Sequence, residues 1–403
     1  MTTEQPVVFD PFSETFFGDP YPTYQRMRDE APVYYNPDLD FYALTRYDDV
    51  ANGQKDWSTY SSAYGIEIAT VKTGKKVDFS MLIMMDPPDH RRFRSLVNRV
   101  FTPRAIMGLE PMVHKTVTAF LSDCDPAGFD GVEDFAALFP VEVICQMLGV
   151  PEGERQQIRL WLDESLHRLP GGLMTPEGEE AGIKSGMYYY DLIQRRRDDL
   201  GEDMISDLIR AEVTRDEDGE PTRLDDAEIA GFLSLLGGAG AETVTKLIGN
   251  ALVLFADHPE QWRMLREDRS LIPSAVEEVL RYQAPSQYNV RRCVREHELH
   301  GTTIPEGAAV AMMVGSANRD ERAFPDADTF DITRSTRDGA QNIGFGYGIH
   351  SCLGAALARL ESRVAFDLLL DFLPEYDVDR SALKRVAMTN VAGWSSVPLT
   401  AGR

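Results

Sequence analysis

One stretch of the chain gathers residues able to do chemistry: Ile343-Gly344-Phe345-Gly346-Tyr347-Gly348-Ile349-His350-Ser351-Cys352-Leu353-Gly354. Four glycines and one cysteine fall within these twelve residues, and a helix-forming run, 355–361, follows. Glycines let the backbone take positive φ and let a bulky group come close to it. Cys352 precedes the helix start, where the macrodipole and free N–H groups favour a thiolate over a thiol. A lone thiolate in a loop stripped of side chains suits a flat, metal-bearing ligand lying against the backbone. Three other readings compete. A phosphate loop would need Gly-x-Gly-x-x-Gly or a Lys-Ser/Thr ending, and neither occurs here. His350 and Cys352 as half a zinc site lack a second pair. A buried structural cysteine is the ordinary fate of a cysteine taken alone.

Such a ligand needs a second wall. Residues 225–256 read as a helix, opened by an Asp225/Glu228 capping pattern and closed by Pro259. About 30 helical residues span on the order of 45 Å, enough to cross the molecule. Its middle is Gly237-Gly238-Ala239-Gly240-Ala241-Glu242-Thr243. Each helix glycine costs roughly 1 kcal/mol against alanine, so three in four residues demand a reason. Close approach of a flat ligand is the expected one. Read blandly, Thr243 is back-bonded in its helix and Glu242 faces solvent. His90 and Arg94, four apart after Asp86-Pro87-Pro88, share a helix face that suits paired carboxylates or is simply solvated. Glu278-x-x-Arg281, in a predicted helix over 272–282, would alone be an exposed i,i+3 contact.

Taken together, these motifs resemble those of the cytochrome P450 family. Phe345-Gly346-x-Gly348-x-His350-x-Cys352-x-Gly354 resembles its haem-binding signature, and Ala239-Gly240-x-Glu242-Thr243 its oxygen-activation motif. Tyr347 and Ala356 depart from the commonest residues there without removing a ligand. The resemblance implies haem b, with Cys352 as the axial ligand of the haem iron and Phe345 shielding the sulfur. It places Gly346 and Gly354 in the loop against the haem, and Ala239 and Gly240 along the opposite face. His90, Arg94, His350 and Arg291 fall on the propionates. Arg291 is placed by counting back from Glu298, so a slip of one residue would exchange it with Arg292. Thr243 would donate to dioxygen and Glu242 would relay protons. Glu278 and Arg281 become a buried structural pair, which Arg334 is placed to join.

The implied fold is mostly α with small β-sheets, one cytochrome P450 domain over residues 1–403 with 1–9 as a flexible start. The implied activity is monooxygenation of a small hydrophobic substrate (a lipid, terpenoid, steroid or aromatic). A peroxide-using or non-oxygenating P450 and a haem-based ligand sensor are the alternatives. These 403 residues contain no flavin or iron–sulfur segment, so the expected electron donors are a ferredoxin and its reductase.

The totals bound the partners. Hydrophobic residues make up 43 %, enough for a large core. A net charge of −24 argues against nucleic acid or an anionic membrane. Four cysteines do not make a disulfide framework. Residues 1–9 lack the apolar core of a secretory signal, and the apolar region 229–256 carries Glu242 and Lys246. A cytoplasmic monomer without a membrane anchor is expected. The charge conflicts with an acidic ferredoxin, so docking requires a local basic patch, for which Arg91, Arg92, Arg99, Arg104 and Arg359 are candidates.

Along the chain, periodicity predicts a helix over 23–30, a strand pair within 33–46, and helices over 111–121, 138–148, 152–169 and 181–199. Residues 58–85 read as a long loop roofing the pocket, and Asp86 as the cap of the helix after it. Leu169-Pro170-Gly171-Gly172 breaks the helical pattern. Residues 286–290 and the turn 390–394 are expected to line the substrate pocket.

Overall fold

The apolar stretch with the capping pattern forms one helix, Asp226–Asp257. The Asp225 carboxylate accepts from the Glu228 N–H at 2.8 Å, and Glu228 accepts from the Asp225 N–H at 2.9 Å. This reciprocal box satisfies two of the donors that a helix start leaves open. Helices Phe139–Leu148, Arg155–Leu166, Pro176–Asp198, Ile272–Tyr282 and Ala355–Phe372 all pack on it. The computed structural model describes residues 6–77, 81–166, 174–214, 221–335, 339–386, 388 and 390–402. The expected break at 169–172 lies outside them.

A five-stranded sheet flanks the helices, in the order Val33–Asn36, Phe41–Leu44, Ala309–Met312, Asn289–Cys293, Tyr60–Ser61. Its Phe41–Leu44 and Ala309–Met312 strands are parallel and the other pairs antiparallel. One core cluster surrounds the long helix, and a second lies between the sheet and the N-terminal segment. Phe9, the last residue of the expected flexible start, is buried there against Phe16, Tyr24, Tyr34 and Phe41.

Several local expectations change. The helix after the prolines is Asp89–Val97, and Pro88, not Asp86, stands at its cap without a side-chain bond. The Asp86 carboxylate instead accepts from the Ser61 hydroxyl at 2.5 Å and the Ser62 N–H at 3.0 Å. The helix expected from 181 begins at Pro176, because Thr175 caps it through the Gly178 N–H. The loop 58–85 contains a strand, Tyr60–Ser61, and short helices Ile68–Lys72 and Leu82–Met84. Among the described residues no helix is long and apolar enough to cross a membrane.

Candidate active site

Gly346 and Gly348 take φ of +72° and +73°, left-handed values that glycine adopts without strain. They fold the loop back on itself, so that the Cys352 N–H donates to the Phe345 carbonyl at 2.8 Å. The helix Ala355–Phe372 starts three residues later, with Gly354 at its cap. Cys352 has accessible surface, yet its surroundings are dense with protein. Burial dominates its titration and pushes the thiol up, against the Gly354 N–H, Arg94, Arg359 and the Ala355 N–H, which pull it down. The expectation that the helix start favours the thiolate is therefore corrected: desolvation outweighs it. A coordinated metal reverses that balance, because a ligating thiol is deprotonated outright. Phe345, half-buried, carries the Arg359 guanidinium 4.5 Å over its ring.

The long helix contributes an accessible strip midway along its length. Ala239 is exposed, and Gly238, Gly240, Glu242 and Thr243 are partly so. The Thr243 hydroxyl donates to the Ala239 carbonyl at 2.8 Å. Glu242 does not face solvent freely. Its carboxylate lies 2.7 Å from the Lys246 ammonium, and the two side chains are 14 % and 6 % exposed. The Lys246 stem is covered by Gly393, where a Cβ would come within 2.8 Å of it. Two of the glycines also admit neighbouring side chains. A Cβ at Gly237 would meet the Tyr189 hydroxyl at 2.7 Å, and one at Gly240 would meet Ile144 at 2.6 Å. Side chains of two neighbouring helices come close at these positions.

The predicted anchors converge. The His90 and His350 rings lie 4.5 Å apart, and His350 Nε2 is 3.1 Å from the Ser62 hydroxyl. Arg94 donates to the Ser351 carbonyl at 2.9 Å, one residue from Cys352. Among the described residues the Arg291 guanidinium, 8 % exposed, donates only to the Val290 carbonyl, at 2.8 Å. Arg292 points away, bonded to the Val71 carbonyl at 3.0 Å and lying over Tyr64. Strand alternation separates the two arginines, and Arg291 is the one whose charge acts on His350.

Burial and like charge act on this group together. Burial pulls His90 down to about 4, helped by Arg94 and Arg91 against Asp86. Burial likewise pulls His350 down to about 2, helped by Arg291, His90 and Arg94 against the Met85 backbone. Burial lowers Arg291 to about 10, opposed by Asp86. Among the described residues, neither ring nitrogen of the buried His90 has a hydrogen-bond partner. Buried donors without acceptors are costly, and this cluster holds two arginines and two imidazoles beside a single carboxylate.

A flat cofactor offering a metal to sulfur and two carboxylates to arginine and histidine fits these residues, and haem b has that composition. The fold and site thus define a haem-thiolate protein. A family model described as Cytochrome P450 matches residues 176–380. A putative cytochrome P450 123 of Mycobacterium tuberculosis is 41% identical over 397 residues, 98% of this chain and 97% of its own. A vitamin D(3) 25-hydroxylase of Pseudonocardia autotrophica is 37% identical over 415 residues, covering 100% of this chain and 98% of its own. The solved cytochrome P450 CYP109Q5 of Chondromyces apiculatus superposes with a TM-score of 0.87 at 33% identity, covering 98% of each chain. The chain belongs to the cytochrome P450 family, and it is a monooxygenase whose cofactor is haem b.

Beneath the site, the Arg281 guanidinium meets Glu278 at 2.7 and 2.8 Å and donates to the Asn318, Ala327 and Thr329 carbonyls. Arg334 joins Glu278 at 3.2 Å. Sequence reasoning passed over Ser62 and Lys246 as site residues. Lys246 was findable, being four residues from Glu242 on one helix face; Ser62 carried no local signal. Of the segment expected to line the pocket, Gln287 and Tyr288 turn away. Gln287 accepts from the Tyr24 hydroxyl at 3.1 Å, and the Tyr288 ring packs 5.8 Å from Phe16. Ser286 pairs with Val391 of the C-terminal turn.

Proposed function

We propose that Cys352 is the axial ligand of the haem iron and that Thr243 and Glu242 handle protons on the opposite face. The observation that carries this reading is that both residues keep accessible surface midway along the helix around which the core packs. Bound haem supplies the activation of dioxygen with electrons delivered from outside. The chain supplies the rest. His90, Arg94, Arg291 and His350 bind the propionates, and Phe345 with the loop backbone excludes water from the sulfur. Thr243 holds a hydroxyl proton at Oγ1, now turned to Ala239, and Glu242 replenishes it after leaving Lys246. This acid–alcohol pair favours the oxygen-activating reading over a peroxide-using or sensor protein.

The substrate proposed is a small hydrophobic molecule such as a lipid, terpenoid, steroid or aromatic. The similarity to a vitamin D(3) hydroxylase puts steroid-like compounds first. A ferredoxin with its reductase is the proposed donor, acting on a cytoplasmic monomer. Of the candidate docking cations, Arg92 is engaged by Glu228 and Arg359 by Glu277. Arg91, Arg99 and Arg104 are exposed and without an ion pair among the described residues, which makes them the docking set.

Thr243→Ala tests the reading. In the holoenzyme with a reductase pair, and a compound that shifts the Soret band towards high spin, reducing equivalents should go mainly to peroxide. Unchanged coupling to oxygenated product would remove Thr243 from proton handling.

A further inference from the structure

A second cleft, of about 550 Å³, opens between the N-terminal segment and the C-terminal end of the long helix, and contains none of the residues assigned to haem or oxygen. That volume lies in the range of small-molecule sites. Three arginines line it. Arg319 is bound to Asp328 at 2.8 Å and stacks between the rings of Tyr282 and Tyr21, at 3.3 and 4.2 Å. Arg380 is bound to Asp257 at 2.6 Å. Arg385 lies flat over Trp394 at 3.7 Å and has no carboxylate within ion-pair distance among the described residues. In a chain of net charge −24 with 65 acidic residues, a half-buried arginine with no ion pair among the described residues, supported only at a distance by Tyr21 and Asp19, is unexpected.

We propose that this cleft binds a small planar aromatic monocarboxylate, with the carboxylate on the edge of Arg385 and the ring against the aromatic and proline walls. The tryptophan covers the face of the guanidinium and leaves its N–H edge available, the geometry of a bidentate carboxylate contact. Tyr21, Tyr282, Pro20 and Pro22 supply flat apolar surface beside it. Asp19, Asp257 and Asp328 line the same cleft and would repel a second negative charge, which disfavours phosphates and dicarboxylates. The inner wall belongs to the two segments expected to flank the substrate pocket. Gln287 and Ala392 line the cleft, and their N–H groups donate to the Asn390 and Pro285 carbonyls, both at 2.8 Å. An occupant therefore bears on the two segments that meet at Ser286 and Val391.

The test uses the holoenzyme and titrates 2-naphthoate by calorimetry, with 2-naphthamide, acetate and sulfate as comparisons. Saturable binding of naphthoate is expected, weakened at least tenfold in Arg385→Gln, as for loss of a charge-assisted hydrogen bond. Naphthamide should bind at least tenfold more weakly than naphthoate. Arg385→Lys, which keeps the charge and loses the fork, should fall between wild type and Arg385→Gln. An unchanged Soret spectrum in the variants shows that the fold survives. Equal naphthoate affinity in wild type and Arg385→Gln would overturn the proposal, as would acetate or sulfate competing as strongly as naphthoate.

Discussion

Lys246→Met removes the cation from Glu242 while keeping an apolar stem beneath Gly393. The ion pair is short, 2.7 Å, and both side chains are largely withdrawn from water. Breaking one partner of a buried pair costs roughly 3–5 kcal/mol, because the other charge is left uncompensated. Glu242 keeps 14 % of its side-chain exposure, so the lower end, about 3 kcal/mol, applies. At about 2.1 cal/mol/K per residue, a chain of 403 residues has an unfolding entropy near 0.85 kcal/mol/K, and the melting point should fall by about 3–4 °C. Glu242→Gln in the same background removes the stranded charge, so the double variant should be more stable than the sum of the single losses by at least about 1 kcal/mol. The assay is denaturation of the four holoproteins forming the cycle. Additivity within about 0.5 kcal/mol would mean that the pair does not form, and that Glu242 is free to serve Thr243 without release from a partner.

Three further outcomes are expected. Glu278→Ala leaves Arg281, 2 % exposed, without its carboxylate, and Arg334 loses the same partner; a loss of about 3–5 kcal/mol should appear as low haem incorporation and aggregation, whereas a soluble holoprotein with wild-type melting would refute the structural role. His90 stays neutral down to about pH 4 when folded, whereas an unfolded histidine protonates near 6.5. The unfolded state thus binds more protons between those values, and haem-free protein should lose up to about 1.4 kcal/mol per pH unit on acidification through that window, with no contribution above it. His90→Phe should flatten this slope in urea titrations, and an unaltered slope would remove His90 from the buried cluster. Replacing Arg91, Arg99 and Arg104 by Gln should slow reduction by ferredoxin and weaken its dependence on salt; identical rates across ionic strengths would move the docking site elsewhere.

How much was legible depended on how local the signal was. The Asp225/Glu228 box, the glycine–cysteine loop and the Glu278/Arg281 spacing are encoded within a few residues, and each appears where the sequence put it. Asp86 illustrates the opposite. Its position before a helix suggested a cap, but its partners, Ser61 and Ser62, lie more than twenty residues away and no periodicity announces them. The choice between Arg291 and Arg292 fell between these cases. Alternation guarantees that one points inward, but the register comes from pairing with the strand Ala309–Met312. Charge was the least legible property. Cys352 looked like a favoured thiolate from its place before a helix, and only the density of protein around it reveals that burial pushes the other way.

The glycines of the central helix show how one motif can serve packing as well as a ligand. Their cost, roughly 1 kcal/mol each, was expected to be offset by a ligand pressed against the backbone. Two of the three also admit side chains of neighbouring helices. Tyr189 of Pro176–Asp198 comes against Gly237, and Ile144 of Phe139–Leu148 against Gly240. Admitting those side chains draws two covering helices onto the same few residues of Asp226–Asp257. Between them, Ala239 and Thr243 keep accessible surface, while Leu233, Leu236, Val244 and Leu247 around them are buried. The glycines therefore act through helix packing. They bring the roof close on either side of a strip that stays open, and that strip carries the one hydroxyl and the one carboxylate the proposed chemistry requires.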